Sequence, residues 1–167
     1  SQIRLIVPSV GGDYGSKSYT KIEPLVSACA WKAKRPVKLQ LTVEEAMLTT
    51  RSDDALTWMR TAADANGKII ARQACIYMNT GSYAENSPLV CEKSTNRCVG
   101  PYAIPNIQID NYSVYTNTVP ASSYRGFGCA QVTIAGESQI DELAEKIGKD
   151  PYEFRLADVA QGGQEFF

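Results

Sequence analysis

The sequence predicts an α+β fold: a mixed sheet containing an antiparallel hairpin, with flanking helices. Three observations carry this. Strand-patterned and helix-patterned segments follow one another irregularly, not in a strict βα repeat. Asn66-Gly67 stands between two strand-like runs, the strongest short signal for a hairpin. Two glycine-rich stretches, one with Gly11, Gly12 and Gly15 and one with Gly126 and Gly128, each lie between a strand-like run and a helical pattern.

Taken in order, "IRLIVP" is a short apolar run and reads as a strand, and the first glycine loop follows it. In "TKIEPLVSACAWKAK", Ile22, Leu25, Val26, Cys29, Ala30 and Ala33 recur at helical spacing as one apolar stripe. Thr20 and Glu23 have the spacing of a capping box, an alternative start lies near Ser16, and Pro24 fits only a first turn. "PVKLQLT" alternates Val37, Leu39 and Leu41 with polar residues, as a half-buried strand does. Thr42 and Glu45 then cap a short helix.

The hairpin is expected over roughly residues 56–77, with Asn66 and Gly67 forming a type I′ turn. Residues 81–105 read as irregular, with a short helix around 90–97, and "NIQIDNYSVYTN" as a strand. The second glycine loop leads into a helix with Val132, Ala135, Ile140, Leu143, Ala144 and Ile147 on one face, stopped by Gly148. Asp150-Pro151 with Glu153 opens a last helix. Helices are expected to begin just after each glycine loop.

Composition narrows the function. With 167 residues, 44% of them hydrophobic, the chain suits one domain, 1–167, with a core of its own. A net charge of −1 argues against nucleic acid and against an anionic membrane surface. No apolar run is long enough to span a bilayer. The abrupt start "SQIRLIVP" reads as the interior of a larger protein. The five cysteines are odd in number and form no C-x-x-C, so reduced thiols and a cytoplasmic setting are expected. Histidine is absent, which excludes a Ser-His or Cys-His pair within the chain and removes the commonest zinc and copper ligand. No metal ligand set and no catalytic residue is assigned within the chain, so any chemistry falls to other residues or to a cofactor.

The glycine loops are candidate anion cradles, because glycine lets backbone N–H groups approach a ligand and a helix N-terminus attracts negative charge. The second loop adds Arg125, a fork-shaped donor, and Phe127, a flat apolar face. Ordinary tight turns are the competing reading. Residues 11–18 also approach a phosphate-binding P-loop, ending in Lys17-Ser18, but Ser16 stands where close phosphate approach needs glycine.

Several motifs taken together resemble one family. "VGGDYGSK" (10–17), "RPVKLQLTVEE" (35–45), "GPYAIPN" (100–106), "YTNTVPASSYRGFGCAQ" (115–131) and the closing segment 137–155 occur in the order found in the molybdenum-cofactor-binding subunit of the xanthine dehydrogenase and aldehyde oxidase family. The resemblance covers nearly the whole chain. It implies part of the molybdopterin-binding domain of a molybdenum hydroxylase, an oxidoreductase that hydroxylates aldehydes or N-heterocycles with water as oxygen source.

It also implies a molybdenum–molybdopterin cofactor beside Gly12, Tyr14, Gly15, Arg125 and Gly126, and substrate contacts from Phe127, Lys93 and Ser18. The general base would lie beyond Phe167. Partners would be the remainder of the molybdenum subunit, a small-molecule substrate, and iron–sulfur clusters and FAD on other domains or subunits. Asp13 and Ser16 depart from the family's first loop. Ser18 and Lys93 stand where xanthine-oxidising members carry a glutamate and an arginine. Gly126 and Phe127 disfavour the copper-containing carbon monoxide dehydrogenase branch. Glu137, Asp141, Glu142 and Glu145 are read as a solvated helix face. A non-catalytic ligand-binding or assembly domain of the same fold is the alternative.

Overall fold

The computed structural model of the chain describes residues 2–160. Five helices and three strands run in the order α1 (Glu23–Ala33), α2 (Val43–Met47), β1 (Asp54–Ala63), β2 (Ile69–Gly81), α3 (Ser87–Arg97), β3 (Ile107–Tyr115), α4 (Cys129–Lys146) and α5 (Pro151–Asp158). The sheet order is β1-β2-β3, with β1 antiparallel and β3 parallel to β2. The expected mixed sheet is therefore present.

The hairpin forms where Asn66-Gly67 places it, but the turn is different. The Gly67 N–H donates to Asp64 O at 2.9 Å, so Ala65 and Asn66 are the central pair, and only Gly67 is left-handed, at φ 83°. This is a type I turn followed by a glycine in the bulge position, not type I′. The Asp64 carboxylate explains the shift, since its Oδ1 accepts the N–H groups of Asn66 and Lys68, each at 2.9 Å, and anchors a longer loop.

One sheet face is covered by helices. Ala74, Ile76 and Met78 of β2 pack with Val90, Cys91, Cys98 and Val132. A second cluster joins Ile69, Tyr102, Ile104, Ile140, Ala144 and Phe154. Arg72 interrupts this face as a buried cation. It donates to the carbonyls of Cys98 and Val99, both at 2.9 Å, and to Thr61 Oγ1 at 3.1 Å. Burial pushes its pKa down. Gly136 of α4 lies against it, where a Cβ would make ordinary contact with the guanidinium at 3.4 Å.

α4 ends as expected. Gly148 N–H donates to Glu145 O at 3.1 Å, and Lys149 N–H to Ala144 O at 2.9 Å. Ile147 falls outside the buried face because it sits at this cap, and it is exposed. The acidic face of α4 is not simply solvated. Arg155 of α5 pairs with Glu137 at 2.9 Å and Asp141 at 2.7 Å, and the Tyr102 hydroxyl donates to Glu137 at 2.9 Å. Asp150 caps α5 by accepting from Tyr152 and Glu153.

The first fifty residues depart most from expectation. Among the described residues "IRLIVP" and "PVKLQLT" form no strand, and α1 buries no residue fully; Ile22, Val26 and Ala30 are half-buried along a groove lined by both segments. The Thr20–Glu23 capping box does not form. Ile22 is the N-cap residue, and the Glu23 carboxylate accepts the Lys21 N–H instead. The box at Thr42 and Glu45 does form.

Candidate functional site

The two glycine loops meet. Tyr14, Gly15, Ser18 and Tyr19 from the first, with Ser123, Tyr124, Arg125, Gly126 and Phe127 from the second, line one open cleft of about 360 Å³, together with Asn86. The second loop is a chain of left-handed residues, Gly126, Phe127 and Gly128, running straight into α4. Gly128 is required there, since a Cβ would strike the Val90 carbonyl of α3. Gly15 is required for the meeting itself, because a Cβ on it would strike the Ser123 backbone.

The first loop does not open a helix. Turns cover residues 14–17, and α1 begins only at Glu23. Asp13 accounts for this. Its carboxylate accepts the Lys17 N–H and, at 3.1 Å, the Ser18 hydroxyl, while its carbonyl accepts the Ser16 N–H at 3.0 Å. Lys17 Nζ turns back onto Gly12 O at 2.8 Å. A nucleotide-binding P-loop needs a free lysine and a helix directly behind the loop. Neither is present, so the glycines serve another ligand class or none.

The side chains have distinct placements. The Arg125 guanidinium lies 5.7 Å from the Tyr14 ring centroid, joining the two loops across the cleft. Phe127 is half-buried, packed on the β2–α3–α4 core while bordering the cleft. Gly12 backs the Tyr14 ring and is not a lining residue. Lys93 is exposed on α3, away from the lining set.

Asn86 was not singled out by the sequence, yet it holds the cleft together. Its Oδ1 accepts from the Tyr19 hydroxyl at 2.6 Å, and its Nδ2 donates to the Ser123 hydroxyl. One amide thus binds both loops. Asn86 occupies the N-cap position of α3 but makes no side-chain cap, and Glu85 before it is left-handed at φ 40°. Lys21 and Glu85 form an ion pair on the same flank. The only legible signal was "ENSPLV", an asparagine two residues before a proline at a helix start.

The lining set has one cation, Arg125, and no carboxylate. Its other polar groups are hydroxyls, one amide and the backbone N–H groups of a left-handed loop. Such a surface favours an anion.

Comparison with known proteins decides the family. Residues 1–159 match the sequence profile described as "Molybdopterin cofactor-binding domain". The chain belongs to this family. It is 36% identical over 160 residues to a subunit of a probable xanthine dehydrogenase of Bacillus subtilis, covering 95% of this chain and 21% of that protein. It is 32% identical to the nicotinate dehydrogenase large molybdopterin subunit of Eubacterium barkeri, covering 98% of this chain and 39% of that one. The aldehyde oxidoreductase structure from Desulfovibrio desulfuricans superposes with a TM-score of 0.88 at 32% identity, over 92% of this chain and 17% of that chain. The chain thus spans a fifth to two-fifths of the two curated relatives. The resemblance expected from the sequence is borne out, and so is the molybdopterin-binding fold.

Proposed function

We propose that this chain, residues 1–167, is one domain of a larger molybdenum-binding subunit and forms one wall of its cofactor site. The complete enzyme is an oxidoreductase that hydroxylates aldehydes or N-heterocycles, with water as the oxygen source. The observation that carries the reading is the convergence of the two glycine loops around a cleft with Arg125 and no carboxylate.

The residues fit the cofactor on chemistry. A pterin phosphate is anionic, and Arg125 with the backbone N–H groups of Gly15 and Gly126 supplies donors of the right sign. Tyr14 offers a flat face and Gly12 the space behind it. When bound, the molybdenum cofactor supplies the two-electron oxidising centre. Phe127 and Ser18 are the substrate contacts this geometry supports, since both line the cleft and Phe127 is held in place by the core. Lys93 is the one it supports least, because it lies off the cleft.

The family resemblance places the general base beyond Phe167, and a cleft lining without a carboxylate agrees with that reading. The partners proposed are the rest of the molybdenum subunit and domains or subunits carrying iron–sulfur clusters and FAD. Among the described residues no helix is long and apolar enough to cross a membrane. The reading places the enzyme in the cytoplasm, supported by five unpaired thiols.

The test is dye reduction by the complete complex with a panel of aldehydes and N-heterocycles. Turnover that is lost in Arg125→Ala is expected. A molybdenum-free complex, or one inert to the whole panel, would favour the non-catalytic alternative.

A further inference from the structure

The second glycine loop has two stems, and one short segment grips both. That segment, residues 51–53, lies just before β1. Arg51 forms a single parallel β-bridge with Ala121, in which its N–H donates to Pro120 O at 3.1 Å and its carbonyl accepts the Ser122 N–H at 3.0 Å. Those residues are the stem that enters the loop. On the other side of the loop, Gln131 stands in the first turn of α4. Its Nε2 donates to Asp53 O at 2.8 Å and to Ser52 Oγ at 3.3 Å.

The Arg51 side chain completes the grip. Its Nε donates to Val119 O at 2.9 Å. Its Nη2 donates to Thr118 Oγ1 at 2.9 Å and to Asn79 O at 3.2 Å. Its Nη1 donates to Ser52 O at 2.9 Å and to the Asp54 carboxylate at 2.8 Å. A guanidinium carries five N–H groups, and here each has an acceptor. The planar fork therefore fixes the entering stem against the end of β2 and against its own segment at once.

Core packing does not account for this arrangement, since residues 49–53 place no side chain in either apolar cluster. The loop does need an outside hold. Its internal backbone bonds, Phe127 N–H to Tyr124 O at 2.7 Å and Cys129 N–H to Gly126 O at 3.0 Å, close single turns and leave the direction of the loop to its stems.

We propose that Arg51 is a positioning residue for the second glycine loop, with Gln131 as its counterpart on the exit stem, and that together they set where Arg125 and Gly126 meet the first loop. That the loop so placed faces a cofactor rests on the functional reading above; the brace rests on the hydrogen bonds alone.

Hydrogen exchange resolved by peptide tests it on the complete subunit, with molybdenum measured on the same samples. In Arg51→Ala, amides of residues 123–128 should exchange at least about tenfold faster while those of β2 stay unchanged. Arg51→Lys should behave the same way, because an ammonium keeps the charge beside Asp54 but cannot fill the fork. Gln131→Ala removes only the exit stem's hold, should quicken the same loop, and carries the test if the Arg51 variants fail to fold. Arg155→Ala, which breaks the pairs with Glu137 and Asp141 instead, should leave the loop and the molybdenum content unchanged. Molybdenum content should fall in both Arg51 variants. Unchanged loop exchange in Arg51→Ala, equal quickening in Arg155→Ala, or full rescue by Arg51→Lys overturns the proposal. Faster loop exchange with molybdenum unchanged, or in a subunit that never held it, upholds the brace and removes the functional reading.

Discussion

Replacing Asn86 by alanine should loosen both glycine loops at once. The side chain is 6% exposed and makes two hydrogen bonds, one to each loop. Each such bond contributes a net of roughly 0.5–1.5 kcal/mol, and a buried hydroxyl left without its partner costs roughly 1–3 kcal/mol. Ser123 is itself 6% exposed, so its hydroxyl is such a group. The loss should total about 2–3 kcal/mol, most of it local to the cleft. No capping energy is lost, because Asn86 does not cap α3. For a chain of this size, that corresponds to a fall in Tm of roughly 4–12 °C if it is felt globally. The informative assay is hydrogen exchange of residues 13–19 and 122–128, which should quicken by at least about tenfold while the β2 amides stay unchanged. Tyr19→Phe should release the first loop only. Unchanged exchange of both loops in Asn86→Ala would refute the clamp.

Arg125→Ala should leave Tm nearly unchanged, since an exposed cation–π contact is worth only about 0.5–1 kcal/mol, yet lower the molybdenum content of the complete subunit. Asp53 is 4% exposed and neither carboxylate oxygen has a donor, because the nearby Ser87 hydroxyl donates to Ala121 O. Burial pushes its pKa up from 3.8, so the stability it contributes is present below that value and is lost as pH rises through the raised one. Asp53→Asn should therefore flatten the fall of Tm above about pH 4, which thermal melts from about pH 4 to 8 will show. Burial and the Glu137 carboxylate push Tyr102 up to about 12, so in an ultraviolet titration Glu137→Gln should bring a late phenol ionisation to lower pH than in the parent protein. With Ser18 uncharged and Lys93 off the cleft, kcat/KM for xanthine should be at least about tenfold below that for the best aldehyde, since lost paired contacts cost several kcal/mol.

Local signals were legible where the partner was also local. Thr42–Glu45, Asp150 and Gly148 each act within one turn of their own helix, and the structure shows each cap as the sequence implies. The hairpin was legible but its turn was not, because the Asp64 side chain outweighed the preference of Asn66-Gly67. The periodicity of α1, "IRLIVP" and "PVKLQLT" describes packing that the described residues complete only in part, so sound patterns gave a half-buried helix face and no strand there. At the cleft, glycines and Arg125 were legible because loops of that composition bind anions. Asn86 was not, because its role depends on Tyr19 and Ser123, which lie 67 and 37 residues away. The pairing of Glu137 and Asp141 with Arg155 was hidden for the same reason.

Molybdenum per polypeptide is the most direct measurement, made by elemental analysis on the complete subunit and on the 167-residue chain purified alone. A wall with Tyr14 and Arg125 exposed on an open cleft cannot hold a charged pterin by itself, since exposed charge pairs contribute about 0–1 kcal/mol each. The account predicts close to one molybdenum per complete subunit and none in the isolated chain. A complete subunit without molybdenum would contradict the function proposed, and stoichiometric molybdenum in the isolated chain would contradict the claim that these residues form only one wall of the site.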